Sequence, residues 1–270
     1  MATTIAINGA AGRMGRRLVA LAAEDADLEV TAALEAPGHA LSGQDAGTLS
    51  GAQALGVAIG STLQAGAAQA MIDFTAPPGF RAAIKTCLEH AASGKPVALV
   101  VGTTGLSAED HARIDEAAKV MPVLQAANMS LGVNLLLGLA AQVAQRLGDD
   151  YDIEIVETHH RFKVDAPSGT ALAIAQAVCE ATGKSMEKDL VHGRHGGDEL
   201  RQRGQIGMHA LRSGDIVGKH TISFGTQGEE LAITHTATNR DVFARGALKA
   251  AKWLTGKPAG RYSMKDVLGL

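Results

Sequence analysis

A β-rich run over residues 3–7 breaks into Asn8-Gly9-Ala10-Ala11-Gly12-Arg13-Met14-Gly15 and then into helical spacing through Leu18, Leu21 and Ala22. Strand, glycine turn and helix in that order constrain the chain more than any other feature, because a tight turn into a helix feeds a crossover that returns to a parallel sheet. The rhythm repeats. Strands are predicted over residues 29–34, 70–74, 97–101 and 123–126, with helices over 79–93 and 107–119. Ser107 serves as a cap, and Glu109 and Asp110 fall in the first helical turn. This half reads as a Rossmann-like, doubly wound α/β domain.

After Asn128 the order changes. A long apolar helix over 134–147, a strand over 152–158 and a helix over 169–182 precede a charged, glycine-rich stretch over 184–204 that reads as an exposed excursion. Three strands follow in quick succession over 208–212, 219–224 and 230–236, with turns at Gly214-Asp215 and Gln227-Gly228. Together with the 152–158 strand they predict a mixed or antiparallel sheet with helices on one face, a second domain of α+β type. Residues 240–254 regain helical spacing, with Val242, Phe243, Leu248 and Trp253 available for burial, and can return to the first domain. The expected boundaries are 1–127 plus 238–270 for the first domain and 128–237 for the second. Four short strands leave edges that need cover, which assembly through this sheet would supply.

With 25 basic against 28 acidic side chains, the net charge of -3 gives no electrostatic case for nucleic acid or an anionic membrane surface. A small molecule is the expected partner. Aromatics make up only 3%, so the cores must be built from Ala, Leu, Ile and Val. Cys87 and Cys179 sit in apolar helical runs and read as buried free thiols of a reducing compartment. Without a leader-like start or a spanning apolar run, the expected location is cytoplasmic.

Gly9, Gly12 and Gly15 stand where a strand opens into a helix, which lets backbone approach a pyrophosphate at the helix N-terminus. Glu35 ends the next strand, where a carboxylate can accept hydrogen bonds from an adenosine ribose. Gly102-Thr103-Thr104-Gly105 follows a later strand and reads either as a lining for a nicotinamide or as an ordinary loop. Ala126-Ala127-Asn128-Met129 reads either as a hinge beside a cofactor or as a linker.

Residues 157–171 concentrate the chemistry: Glu157-Thr158-His159-His160-Arg161-Phe162-Lys163-Val164-Asp165-Ala166-Pro167-Ser168-Gly169-Thr170-Ala171. Two imidazoles can exchange protons near neutral pH, and Lys163 can act as an acid or hold an anion. Pro167 sets a helix entry, Ser168 caps it, and Gly169 and Thr170 leave backbone N–H groups that suit a carboxylate. Arg240 offers a further cation or, alternatively, a surface ion pair. A metal site of His159, His160, His192 and His195 lacks a recognised ligand spacing, and adjacent strand residues face opposite ways.

In order and spacing, these segments resemble the bacterial dihydrodipicolinate reductase family. The likeness covers nearly the whole chain: the turn at Gly9 to Gly15, Asp73-Phe74-Thr75, the Gly-Thr-Thr-Gly run at 102, Asn128-Met129-Ser130-x-Gly132-Val133-Asn134, the run from His159, and Asn239-Arg240 before a helix. The resemblance implies reduction, by a reduced nicotinamide nucleotide, of the cyclic product of pyruvate and aspartate semialdehyde on the route to lysine and diaminopimelate. It implies that Gly9, Ala10, Ala11, Gly12, Arg13, Met14, Glu35, Phe74, Gly102, Thr103, Thr104, Ala126, Ala127, Asn128 and Met129 serve the nucleotide. By the same similarity His159 donates or accepts a proton and Lys163 donates one. His160, Lys163, Ser168, Gly169, Thr170 and Arg240 are expected to hold a dicarboxylate, and the assembly to be a homotetramer. One departure matters: Ala36 and Ala76 stand where many relatives carry arginines that meet a 2'-phosphate. Glu35 with no arginine beside it should repel that phosphate, so NADH or dual use is expected, although Arg13 or His39 could compensate. The rivals are another two-domain dehydrogenase, of aspartate or homoserine type, and a nonenzymatic nucleotide sensor.

Overall fold

The computed structural model describes residues 1–197 and 200–270; positions 198 and 199, inside the excursion expected over 184–204, lie outside the described residues. The chain divides into two compact units, Met1–Leu131 with Asp241–Leu270, and Gly132–Arg240. In chain order the elements are β1 (Thr3–Asn8), α1 (Arg13–Ala23), β2 (Leu28–Leu34), α2 (Ala46–Leu49), β3 (Ile59–Gly60), β4 (Ala70–Asp73), α3 (Pro77–Ala92), β5 (Ala98–Val101), α4 (Ala108–Ala117) and β6 (Pro122–Gln125). Next come α5 (Leu131–Leu147), β7 (Asp152–His159), α6 (Gly169–Thr182), β8 (Leu190–His192), β9 (Ile206–Arg212), β10 (Gly218–Thr226) and β11 (Glu229–Ala237). The chain closes with α7 (Asp241–Leu254), β12 (Gly260–Tyr262) and α8 (Met264–Leu268).

In the first unit seven parallel strands stand in the order β12-β6-β5-β4-β1-β2-β3. The strand order reverses between β1 and β4, the switch point at which open α/β sheets bind ligands. Period-two alternation divides the strand residues between two cores. Ile5, Ile7, Ile72, Val100 and Leu124 pack with Leu18 and Leu21 of α1 and with Leu248 and Ala251 of α7. Ala6, Met71, Leu99, Val101 and Val123 pack with Phe80 and Ile84 of α3 and with Ile114 of α4. Ser107 caps α4 in a reciprocal box with Asp110, whose carboxylate also holds Arg81 of α3 at 2.7 Å. The pieces absent from the sequence reading, α2, β3, β12 and α8, span two to five residues. That is too short for a periodic signal, and pairing with β2 or β6 supplies the order of β3 and β12.

The second unit is a mixed sheet in the order β11-β10-β7-β9-β8, with β11, β10 and β7 antiparallel and β7, β9 and β8 parallel. One face carries Ile153, Ile155, Ile206, Met208, Ile222 and Phe224 against Leu136 and Ala140 of α5 and Ile174 and Val178 of α6. Two expectations need correction. Helix α5 begins at Leu131 rather than residue 134, and the stretch read wholly as an exposed excursion supplies a fifth strand, β8. Pairing explains the second difference: Gly193 N–H donates to Met208 O, and Glu154 on the sheet holds both Arg194 and Arg201 from the flanking loop.

Cys87 is fully buried, and burial pushes its thiol up to about 12; Cys179 is 2% exposed and is likewise raised by burial. Native protein at pH 8 is therefore expected to resist iodoacetamide at both positions, and denatured protein to react at both. Mass spectrometry of alkylated peptides checks this.

Candidate active site

The strand registers bring the proposed nucleotide residues to one edge. Asn8 pairs with Leu34 and Asp73, Asp73 with Val101, and Val101 with Gln125. Gly9, Glu35, Phe74, Gly102 and Ala126 each follow one of these residues, so all five stand at the C-terminal ends of adjacent strands. Gly9 has φ +80°, and Gly12 is the N-cap of α1 without any side-chain cap bond, which leaves the first-turn amides for an anion. Gly15 packs on this turn: a Cβ there would lie 2.0 Å from Gly9 O. Gly15→Ala must displace the turn and is expected to abolish nucleotide binding, which fluorescence titration with NADH would show. Glu35 Oε1 accepts Ala11 N–H at 2.9 Å, so the carboxylate braces the turn directly. Arg13 is exposed, whereas His39 Nδ1 accepts Leu41 N–H within its own loop.

Thr103 is 2% exposed; its hydroxyl donates to Asp73 Oδ2 at 2.6 Å and accepts Thr75 N–H. Asp73 also accepts Asn8 Nδ2 and Thr75 Oγ1, both at 2.7 Å, and so ties the loops after β1, β4 and β5 together. Burial raises its carboxyl against these bonds. Sequence reading passed over Asp73 as a site residue, although a carboxylate ending an apolar strand was a visible signal. Phe74 packs so closely on Gly102 that a Cβ there would lie 2.4 Å from its ring. Met129 is 1% exposed, and Ala10 equally so, leaving backbone as what they can offer a nucleotide. Thr104 and Ala127 are exposed; Ala126, Asn128 and Met14 are half-buried.

In the second unit alternation along β7 turns Ile153, Ile155, Glu157 and His159 to the same buried face. Glu157 is fully buried yet makes four polar contacts to three residues: its Oε2 lies 2.5 Å from His159 Nδ1 and 2.9 Å from Arg212 Nη1, while its Oε1 accepts Ser168 N–H at 3.0 Å and Arg212 Nη2 at 2.9 Å. Burial works to raise the Glu157 carboxyl, but Arg212, His159 and the Ser168 amide outweigh it and hold it below the usual range. Burial lowers His159 despite Glu157, so the imidazole is neutral at pH 7. His220 stands edge-on to His159 at 5.1 Å, and burial pulls it down to about 4.

Ser168 caps α6 as expected, its Oγ accepting Ala171 N–H and meeting His220 Nε2 at 3.1 Å. With both its N–H and Oγ engaged and 2% exposure, Ser168 positions the turn from inside. Gly169 is exposed, with nothing within 4 Å of where a Cβ would stand, so the approach to the α6 amides is open. Lys163 Nζ pairs with Asp165 at 2.9 Å on the loop between His159 and Ser168. His160 carries a buried Nδ1 with no hydrogen-bond partner among the described residues. Arg240 is exposed at the end of the segment that follows β11, outside the ion pairs of the described residues. Glu157, Arg212 and His220 were missed by sequence reading.

A doubly wound sheet with this turn at its switch point is the architecture that pyridine-nucleotide-binding reductases of Rossmann type share. Within that class the chain belongs to the dihydrodipicolinate reductase family: residues 3–129 match its N-terminus and residues 132–268 its C-terminus. It is 48% identical over 272 residues to the 4-hydroxy-tetrahydrodipicolinate reductase of Alkalilimnicola ehrlichii, covering 100% of both chains. A relative of the same name from Thiobacillus denitrificans is also 48% identical over 272 residues, again covering 100% of both. A solved dipicolinate-bound dihydrodipicolinate reductase from Paenisporosarcina sp. TG-14 shares the fold at TM-score 0.76 and 23% identity, covering 97% of this chain and 98% of that one. No helix among the described residues is long and apolar enough to cross a membrane.

Proposed function

We propose that the chain reduces 4-hydroxy-tetrahydrodipicolinate to tetrahydrodipicolinate in lysine and diaminopimelate biosynthesis. The observation that carries this reading is the bridging carboxylate of Glu157, which holds His159 Nδ1 on one oxygen and Ser168 N–H on the other. A proton-exchanging imidazole and an anion-binding helix start are thereby fixed at one spacing. The Gly169 and Thr170 amides and Arg240 suit the carboxylates of a diacid, as do His160 and the Lys163 ammonium on exchange from Asp165. When bound, the reduced nicotinamide supplies a hydride. After the substrate has lost water, hydride addition to the ring of the unsaturated imine leaves an enamine, and one proton completes the product. Lys163 supplies that proton, with His159 exchanging protons in the same cluster.

The nucleotide residues fit the cofactor through the uncapped α1 N-terminus and the Gly9 turn. Glu35 braces that turn, Ala36 and Ala76 supply no cation, and His39 is turned to its own loop. These features support NADH preference or dual use, and kcat/KM for NADH is expected to equal or exceed that for NADPH. The assay uses freshly formed pyruvate–aspartate semialdehyde condensation product, and nucleotide oxidation must require both partners. A strong NADPH preference would overturn the preference but not the reaction. The nine-residue edge strand β11, exposed along most of its length, supports the homotetramer that the family resemblance implies. Light scattering of the purified protein tests that state.

A further inference from the structure

The Glu157 carboxylate, which fixes the spacing of the site, is given no part in the proton transfer itself. It sits two residues before His159 on the same face of β7, and the bidentate Arg212 pair from β9 occupies both of its oxygens. Arg212 also donates to the carbonyls of Lys163 at 3.4 Å and Asp165 at 2.5 Å. One guanidinium therefore joins the carboxylate behind His159 to the backbone carbonyls of the paired Lys163 and Asp165. On the far side of the ring, Gly218 of β10 lacks a side chain, and a Cβ there would stand 3.0 Å from His159 Nε2. An imidazole gripped at Nδ1 and given room at Nε2 has one nitrogen for structure and one for chemistry.

We propose that Glu157 is a positioning residue for the proton-transfer step: ion-paired to Arg212, it accepts the Nδ1 proton of His159 and thereby presents Nε2 as the nitrogen that exchanges protons. This rests on the reading of His159 as a proton-exchanging group. The groups facing the ring are Glu157 on its own strand, Arg212 from β9, His220 from β10 and Lys163 from the loop, with His235 of β11 beyond His220. His220 is neutral above about pH 4, so it does not compete as a charge, whereas Arg212 and Lys163 both oppose an imidazolium. Glu157 is the sole carboxylate among these groups. It steadies the imidazolium when His159 takes up a proton, and no proton passes to Glu157 itself.

Steady-state kinetics of Glu157→Gln against pH, with nitrogen-15 spectra of the histidines in the wild-type protein, test the assignment. The amide keeps the side-chain volume but can present its NH2 to the ring and favour the wrong tautomer. A fall in kcat of about 10²- to 10⁴-fold is expected, with KM for the nucleotide unchanged. The acid limb of the kcat profile moves to lower pH, because the imidazolium has lost its carboxylate. A merely structural role would not move that limb. Turnover within about threefold of wild type with an unmoved limb would overturn the proposal, as would a wild-type spectrum placing the neutral His159 proton on Nε2; the spectrum decides even if the variant folds poorly. His159→Gln separates the two layers. If His159→Gln retains turnover, the underlying assignment of His159 fails and the proposal with it; if it is inactive while Glu157→Gln is unimpaired, only the positioning role fails.

Discussion

Lys163→Ala is expected to lower kcat by about 10²- to 10⁴-fold while leaving KM for the nucleotide unchanged. The backbone reasons for expecting an intact loop are specific. Lys163 N–H donates to His160 O at 3.1 Å, and Lys163 O accepts Arg212 Nε, so neither contact depends on the ammonium. What the side chain does make is an ion pair with Asp165, whose carboxylate is 61% exposed. With the carboxylate largely in solvent and the lysine side chain 21% exposed, the pair contributes modestly to stability, and its ammonium can pass to a substrate carboxylate. The loss should therefore appear in the chemical step, and in KM for the diacid as far as Lys163 also binds it. Single-turnover and steady-state rates measured with the condensation product check this, and near-normal turnover in the variant would refute the acid role of Lys163.

Arg212→Met should have the largest effect on stability. It retains most of the apolar stem but removes the cation from a fully buried carboxylate, which typically costs 3–5 kcal/mol. About 3 kcal/mol is expected, the low end of that range, because His159 Nδ1 and the Ser168 amide still reach Glu157. The cost should depend on pH. In the wild type the Glu157 carboxyl is held below its ordinary value, so its contribution is fully present above the unfolded-state pKa of about 4.3 and is lost as pH falls through the lower folded value. In Arg212→Met burial dominates and the carboxyl shifts upward, so the variant gains stability relative to wild type as acid protonates it. Urea denaturation of both proteins should show the widest gap near neutral pH, narrowing first as pH falls through the variant's raised carboxyl pKa and further as it falls through the wild type's lowered one. A gap independent of pH would mean that Arg212 acts by packing alone.

Local features of the sequence carried the architecture far. The strand, glycine turn and helix at residues 3–23 announced the parallel sheet, and Ser168 announced its own cap, because those signals lie within a few residues of their consequences. Lost were contacts that only the fold creates. Arg212 lies 55 positions beyond Glu157 and meets it because β9 runs parallel to β7 with Arg212 opposite His159. His220 reaches Ser168 only through the β10 register against β7. Glu157 was within reach: two residues before His159 on an alternating strand, it shares the buried face, and a carboxylate placed there needs a partner. Strand β8 was hidden because three residues inside a charged stretch carry no period, and Glu154 supplies from elsewhere the counter-charge that seats the neighbouring arginines.

Hydride transfer from a nicotinamide to the ring of a diacid can be followed by isotope label. With NADH deuterated at its transferable position and fresh condensation product, mass spectrometry should find one deuteron on a ring carbon of tetrahydrodipicolinate for each nucleotide oxidised. Oxidation of the nucleotide without label in that ring, or no oxidation of either NADH or NADPH, would rule out this reaction.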